Sequence, residues 1–394
     1  MATASPHAAV EVRLLNGEEV PVSCADCTDI RHLRQRVANA LGSPASRLRL
    51  LLGTEPLRDD QVLAELPGAL GPGILAVAAV VVKSSPVLTG HSDGIIRRWD
   101  LSAETRGMCS APTDCAQGHG GPVLAMSVDW RLGHVLSGAG DWTLRVWTLR
   151  PAGRGLDCIG VLSGHNGPVG SVFADFAEQR GFSGSEDGTA RLWDIGTMSC
   201  LVVFEAHQHH PVYAVAMGMG PEVRWAVTGG RDSRLHVWDL ERRRLHGCLA
   251  GHGSTILALC MDARGERAVS GARDKRLRVW DIKAMSCTSA LVGHEAGVTV
   301  VAADFEADRA LSGSEDATMR LWDLSSLACL AVVVDWRGAV TALGVSQGLL
   351  RAVSGGGDGS LSLWDMGGEG RRLASFHGNV DMGCTHAVSI EDAP

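Results

Sequence analysis

The sequence predicts a mostly β chain: seven repeats of four short strands, preceded by a small α+β domain. Three observations carry this. Seven of the 11 tryptophans recur in one local pattern, at intervals of 48, 46, 45, 42, 42 and 42 residues. Two polar residues keep fixed offsets from each of these tryptophans. The first eighty residues lack the pattern altogether. Self-similarity at such a period is the mark of stacked supersecondary units, not of unrelated domains.

Composition agrees and narrows the function. The 394 residues are 45% hydrophobic and 20% charged, which excludes long-range disorder and supplies a large core. Gly (49) far outnumbers Pro (14), as many tight turns between short strands require. A net charge of -8 offers no basic excess for phosphates, so no nucleic-acid partner is expected. The N-terminus has no basic stretch followed by an apolar core, so it is not read as a secretory signal. The longest apolar run, Ile74 to Val82, is a strand rather than a span of ~20 residues, and no membrane partner is expected. An odd 11 cysteines suggest reduced thiols and a cytoplasmic, or also nuclear, protein.

Along the first eighty residues, Val10–Leu15 and Val20–Val22 flank Asn16-Gly17 as a hairpin. Thr28 precedes a helix with Ile30, Leu33, Val37 and Leu41 on one face, and Gly42 ends it. Leu48, Leu50 and Leu52 alternate as a strand, and Ile74–Val82 is the last.

In each repeat a Ser or Thr stands ten residues before the Trp and an Asp six before it. The sets are Thr89/Asp93/Trp99, Ser137/Asp141/Trp147, Ser183/Asp187/Trp193, Thr228/Asp232/Trp238, Ser270/Asp274/Trp280, Ser312/Asp316/Trp322 and Ser354/Asp358/Trp364. His119, His165, His252 and His294 lie 18 residues before their serines, and His207 lies 21 before Thr228. β-Branched runs such as Val298 to Ala303 and turns such as Ser-Gly-Ser-Glu-Asp-Gly-Thr fill the intervals, a rhythm of four strands per unit.

A hydroxyl, an imidazole and a carboxylate invite a hydrolase reading, but a nucleophile is needed once and this set recurs in unit after unit. Geometry, not residue identity, defines a catalytic triad. The set is read as a structural network in which Asp accepts from His and from turn N–H groups, while the hydroxyl and indole complete it. No catalytic residue and no cofactor site is expected, since no P-loop, GxSxG or HExxH is present. Nor is a metal. Cys24 and Cys27 form a C-x-x-C without a second pair, and His207, His209 and His210 read as a solvated loop with one network histidine. Cys158, Cys200, Cys287 and Cys329, each seven before the His position, are structural outer-strand residues.

The Gly-His pair, the Ser-Gly-x-x-Asp turn and the closing Trp-Asp resemble the WD-repeat family over residues 84–391. The resemblance implies a seven-bladed β-propeller with each Trp on the third strand of a blade. Three units depart from the pattern: Thr148 replaces the closing Asp of the second, Trp336 stands at the His position of the seventh, and the first has no upstream His. Residues 8–82, with a strand-strand-helix-strand-segment-strand order, resemble ubiquitin, most clearly from Thr28 to Leu63. That resemblance implies a β-grasp domain whose recognition patch falls on Leu15, Leu51 and Val77. No Lys precedes Lys83 and no C-terminal Gly-Gly is freed, so the domain would be recognised rather than conjugated.

One segment has two claims on it. Ile74–Val82 precedes Pro86–Gly90 as first strands precede second strands elsewhere, yet the ubiquitin-like pattern needs it as its own last strand. Val388-Ser389 repeats Val345-Ser346 at an offset of 43. Residues 384–390 are therefore expected to supply the inner strand of the first blade, with His377 as that blade's missing histidine. In such propellers the rim of lead-in loops and second-to-third-strand turns is the usual contact face. Its expected binding residues are Leu124, Glu186, Tyr213, Arg231, Leu257, Arg273, Glu315 and Trp336. The function expected is a non-catalytic scaffold: the rim holds a protein or peptide, and the ubiquitin-like domain docks on a receptor for such folds. Two alternatives are substrate recognition in ubiquitin-dependent turnover and a hydrolase using one Ser/His/Asp set.

Overall fold

The computed structural model describes residues 9–14, 19–20, 29–41, 48–52, 55–57, 74–81, 85–101, 112, 114–150, 155–205, 207, 209–220, 224–334, 338–346, 349–357, 359–366, 371–376 and 385–390. The chain divides into two compact units, meeting between Ser84 and Ser85.

The first unit is a five-stranded sheet with one helix. Its elements are β1 (Ala9–Leu14), β2 (Glu19–Val20), α1 (Ile30–Ala40), β3 (Leu48–Leu52), β4 (Glu55–Pro56) and β5 (Ile74–Val81). The sheet order is β2-β1-β5-β3-β4, with β1 parallel to β5 and the other pairs antiparallel. Ile30, Leu33 and Val37 lie on the buried face of α1, as their spacing requires. The N-cap is Asp29 rather than Thr28: the Asp29 carboxylate accepts the His32 N–H at 2.8 Å, satisfying a donor the helix cannot. Thr28 and Gly42 lie outside the described residues.

The second unit consists of seven four-stranded antiparallel sheets. The inner strands follow one another round a ring, each beside the next, and the last neighbours both the seventh and the second. The mostly β, seven-bladed propeller expected from the repeat is what the chain forms. Blade 1 takes its inner strand from the far end of the sequence: Thr385–Ile390 pairs antiparallel with Ser85–His91, Val388 opposite Thr89. Among the described residues, Ile74–Val81 pairs within the first unit's sheet, with β1 and β3. A sheet closed in this way leaves no open inner edge for another chain to add to.

Within each blade the burial gradient explains the sequence. The second strands of blades 2 to 6, such as Arg267–Ala272, are buried at all but their first residue because blades pack on both faces. The outer strands alternate toward solvent, as Cys329–Val334 does. The glycine after each network hydroxyl marks the closest approach between blades. A Cβ on Gly271 would stand 2.5 Å from the Val298 side chain of the next inner strand, and Gly90, Gly138, Gly184, Gly229 and Gly313 are placed alike. The third-to-fourth-strand ladders of blades 2 to 7 shift register just before the Trp, a bulge that adds twist there. The closing aspartates cap the turn that follows: Asp194 accepts the Thr197 N–H and Asp281 the Ala284 N–H, at 2.9 and 2.7 Å.

The repeat tryptophans donate to the networks as expected, and they are core residues as well: Trp99, Trp147, Trp193, Trp238, Trp280, Trp322 and Trp364 are all buried. Trp147 makes the point. It is 1% exposed, so it offers no surface to a partner or substrate. Its ring belongs to an apolar cluster with Leu88, Ile96, Val123 and Val135, drawn from blades 1 and 2. An indole has one N–H and a large apolar body, so a single side chain completes the hydrogen-bond chain and fills the space between two blades. The offset from Ser and Asp reveals the first duty; only the packing of neighbouring blades reveals the second.

Candidate functional site: the rim face and the networks beneath it

Beneath one face of the ring, each turn of blades 2 to 6 is tied to the loop that leads into its blade. In blade 3 the Trp193 indole N–H donates to Ser183 Oγ at 2.8 Å. His165 Nε2 lies 2.8 Å from the same oxygen, and His165 Nδ1 lies 2.8 Å from the Asp187 carboxylate. With the serine lone pair taken by the indole, the assignment that satisfies every atom has the serine O–H donating to Nε2 and Nδ1–H donating to Asp187. The carboxylate also accepts the Asn166 N–H and the Thr189 N–H and hydroxyl. Blade 2 repeats this geometry: Trp147 donates to Ser137 Oγ at 2.8 Å, and His119 joins Ser137 to Asp141. So do His207, Thr228, Asp232 and Trp238 in blade 4, His252, Ser270, Asp274 and Trp280 in blade 5, and His294, Ser312, Asp316 and Trp322 in blade 6. The hydroxyl residues are 0% exposed in all of these blades, so no substrate reaches them.

The end blades are described in part. In blade 7 Trp364 donates to Ser354, while Asp358 and Trp336 lie outside the described residues. In blade 1 Trp99 donates to Thr89, but the imidazole beside the Thr89 hydroxyl is His91, 2.6 Å away on the same strand. Asp93 is held by Arg97 and the Ile95 N–H. The residue two positions after the hydroxyl is small in the other blades, so His91 fills the volume that a lead-in histidine occupies there. His377, expected for this role, lies outside the described residues.

Electrostatics follow from this wiring. Burial would raise the carboxyls of Asp141, Asp187, Asp232, Asp274 and Asp316. Hydrogen bonds from histidine, turn N–H and, in blades 2, 3 and 6, threonine outweigh it and hold them below the usual range. Burial lowers His119, His207, His252 and His294 below the usual imidazole value, favouring the neutral ring.

The turn residues above the networks are exposed and fixed. Glu186, Arg231, Arg273 and Glu315 are all solvent-facing. Their backbone N–H groups donate to Pro168, Pro211, Thr255 and Gly297 in the lead-in loops at 2.9–3.0 Å. Leu124, Tyr213 and Leu257, expected on the rim, stand at the starts of inner strands and line the axial cavity, about 310 Å³, with residues of blades 2 to 7.

Sequence reasoning missed one rim residue, Trp142. The position after the network Asp has positive φ in all seven blades: Gly94, Trp142, Gly188, Ser233, Lys275, Ala317 and Gly359. Three of the seven are Gly, the residue this conformation favours. A Trp at φ 69°, 52% exposed, carries strain without burying its ring. The signal was available as a tryptophan outside the repeat pattern. The N-terminal candidates are less defined. Leu15 and the Cys24/Cys27 pair lie outside the described residues, and Leu51 and Val77 lie on β3 and β5, opposite Ala78 and beside Val12.

A model of the WD domain, G-beta repeat, matches residues 156–194, 198–239, 243–281 and 285–323. The chain thus carries WD40 repeats, matched through the units ending at Trp193, Trp238, Trp280 and Trp322. The three units left out are those that depart from the pattern: the first without its lead-in histidine, the second with Thr148 after Trp147, the seventh with Trp336. The search of curated proteins gives no match.

Two outcomes test the networks. His165→Ala removes one hydrogen-bond partner from each of Asp187 and Ser183 at a buried position and is expected to lower stability by ~1–3 kcal/mol, read from denaturant midpoints. A variant that unfolds with the parent refutes the structural role. The pH dependence has two windows. The unfolded imidazoles protonate at about pH 6.5 while the buried ones resist, so stability falls as pH drops below that value. A second loss begins near pH 4, where unfolded carboxyls take protons that the networked ones refuse. Thermal melting should fall through both windows; a flat profile from about pH 7 to 5 contradicts the first.

Proposed function

We propose that this protein is a non-catalytic interaction scaffold whose rim face binds a protein or peptide segment. A propeller built of WD40 repeats is consistent with protein binding, and the observation that carries the rim reading is Trp142. A large aromatic residue held half exposed on a turn whose counterparts are small or charged suits an anchor at an interface. Arg231 and Arg273, at equivalent turns of adjacent blades, add positive charge suited to an acidic element of the partner. Tyr213, Leu124 and Leu257 at the cavity mouth add apolar surface. The burial of every described network serine argues against the hydrolase alternative.

A ubiquitin-like first unit is the second part of the proposal. Its support is the order β2-β1-β5-β3-β4 around a single helix, together with the resemblance from Thr28 to Leu63. With no Lys before Lys83, such a domain would be docked on by a receptor rather than extended into lysine-linked chains. A role in ubiquitin-dependent turnover rests on this part alone.

Affinity capture with the full chain, read by mass spectrometry, tests the rim. Arg231→Glu combined with Arg273→Glu is expected to weaken capture of propeller partners at unchanged melting temperature. Unchanged capture removes blades 4 and 5 from the interface. Trp142→Gly separates function from stability. It relieves about 1 kcal/mol of left-handed strain, partly offset by the freedom glycine adds to the unfolded chain. The expected result is a melting temperature at or above the parent's with reduced capture; a clear loss of stability would show that the indole is structural.

A further inference from the structure

Blade 4 differs from its neighbours at one position. Four residues after the network Asp, blades 2, 3, 5 and 6 carry Arg145, Arg191, Arg278 and Arg320, and blade 4 carries His236. Three of those guanidinium groups reach an outer-strand thiol, 3.5–3.9 Å away on Cys158, Cys200 and Cys287. Arg145, Arg278 and Arg320 also stand near enough to His119, His252 and His294 to disfavour their protonation. In those blades a fixed positive charge thus adjoins the His–Asp pair and repels any cation. In blade 4 that charge is replaced by an imidazole.

The replacement brings three donor groups together. His236 Nε2 lies 2.7 Å from Asp232 Oδ2, and His207 Nδ1 lies 3.1 Å from the same oxygen. The two ring centroids are 4.0 Å apart. One ligand atom from each of the three residues falls within 4.8 Å of the others. Each ring is also held from behind: His207 Nε2 by Thr228 Oγ1 at 2.7 Å, His236 Nδ1 by Cys248 Sγ at 3.3 Å. Cys248 stands directly across the ladder from His236. Outer partners of this kind orient imidazole ligands in metal sites.

We propose that His207, Asp232 and His236 form a zinc-binding site in the fourth blade. Two imidazole nitrogens and one carboxylate suit zinc rather than calcium or magnesium, which take oxygen ligands. Three protein ligands leave the fourth tetrahedral position to water. Each ring keeps a single proton when the ion binds. The His207 proton moves to Nε2 and is donated to Thr228 Oγ1; the His236 proton moves to Nδ1 and is donated to Cys248 Sγ. The ion replaces the two N–H donors of Asp232. Asp232, with 15% of its side chain exposed, is the way in, since the side chains of His207 and His236 are 0% and 5% exposed.

The test uses the full chain, freed of metal by a chelator and then titrated with Zn²⁺ in a calorimeter and with Co²⁺ in a spectrophotometer. The expected result is one Co²⁺ per chain with visible bands of a nitrogen and oxygen site, displaced by Zn²⁺. The melting temperature should rise with Zn²⁺ concentration, because the ion binds the folded state. His236→Arg installs the residue that blades 2, 3, 5 and 6 carry, and His236→Gln keeps a neutral hydrogen-bonding side chain. Both should melt as the parent does without metal and bind Co²⁺ at least tenfold more weakly. Binding retained in either folded variant overturns the proposal, as does the absence of Co²⁺ binding by the parent. A thiolate-to-cobalt band that survives both substitutions places the ion on cysteines and overturns it equally.

Discussion

The fold rests on one buried hydroxyl per blade. Each of the seven, Ser or Thr, accepts an indole N–H at 2.7–2.9 Å. In blades 2 to 6 it also meets the lead-in histidine, whose other nitrogen reaches the turn aspartate. One short chain of hydrogen bonds therefore joins the third strand, the second strand, the turn between them and the loop from the preceding blade. An unpaired polar group at such depth would be costly, so every member holds the others in place. The rim face inherits its rigidity from this wiring: Glu186, Arg231, Arg273 and Glu315 sit on turns that the network aspartates fix from below.

That dependence explains what varies and what does not. The network tolerates a change of donor where geometry leaves room. In blade 1, among the described residues, His91 brings an imidazole to Thr89 from the second strand, and Arg97 and the Ile95 N–H hold Asp93. Blade 4 exchanges an arginine for His236 and gains a carboxylate shared by two imidazoles. The position after the aspartate tolerates even Trp142, because the left-handed turn is imposed by the bonds on either side of it.

The same constraint separates structure from recognition. Residues inside the networks are buried and paired, and their removal is felt as stability. Residues one step outward, on the turns and at the cavity mouth, make no such bonds and are free to differ from blade to blade. The contrast between Trp147 and Trp142 shows the two regimes five residues apart: one indole is sealed in the core, the other stands in solvent. The turns differ from one blade to the next, with Arg231 and Arg273 in two of them and Trp142 in another, and the proposed contact with a partner draws on those differences.

The amino-acid sequence alone determined the number of blades, their strand count and the members of the networks in blades 2 to 6. These are local quantities: Ser, Asp and Trp sit at fixed offsets within one unit, and hydrogen bonding between adjacent strands requires those offsets. It also placed the β1–β2 hairpin, helix α1, and the strands β3 and β5. Tertiary structure decided the rest. The core duty of Trp147 and its counterparts needed a neighbouring blade to pack against. The source of an imidazole for Thr89 was legible only when the strand geometry put His91 within reach. The pairing of Thr385–Ile390 with Ser85–His91 joins segments from opposite ends of the second unit; the sequence foretold it from the two claims on Ile74–Val82 and the echo of Val345-Ser346, and tertiary structure supplied its register. That Leu124, Tyr213 and Leu257 line one axial cavity became visible only because the ring converges the inner strands on the axis. His207 and His236, separated by a loop, a turn and two strands, meet over one carboxylate because antiparallel pairing folds the blade back on itself.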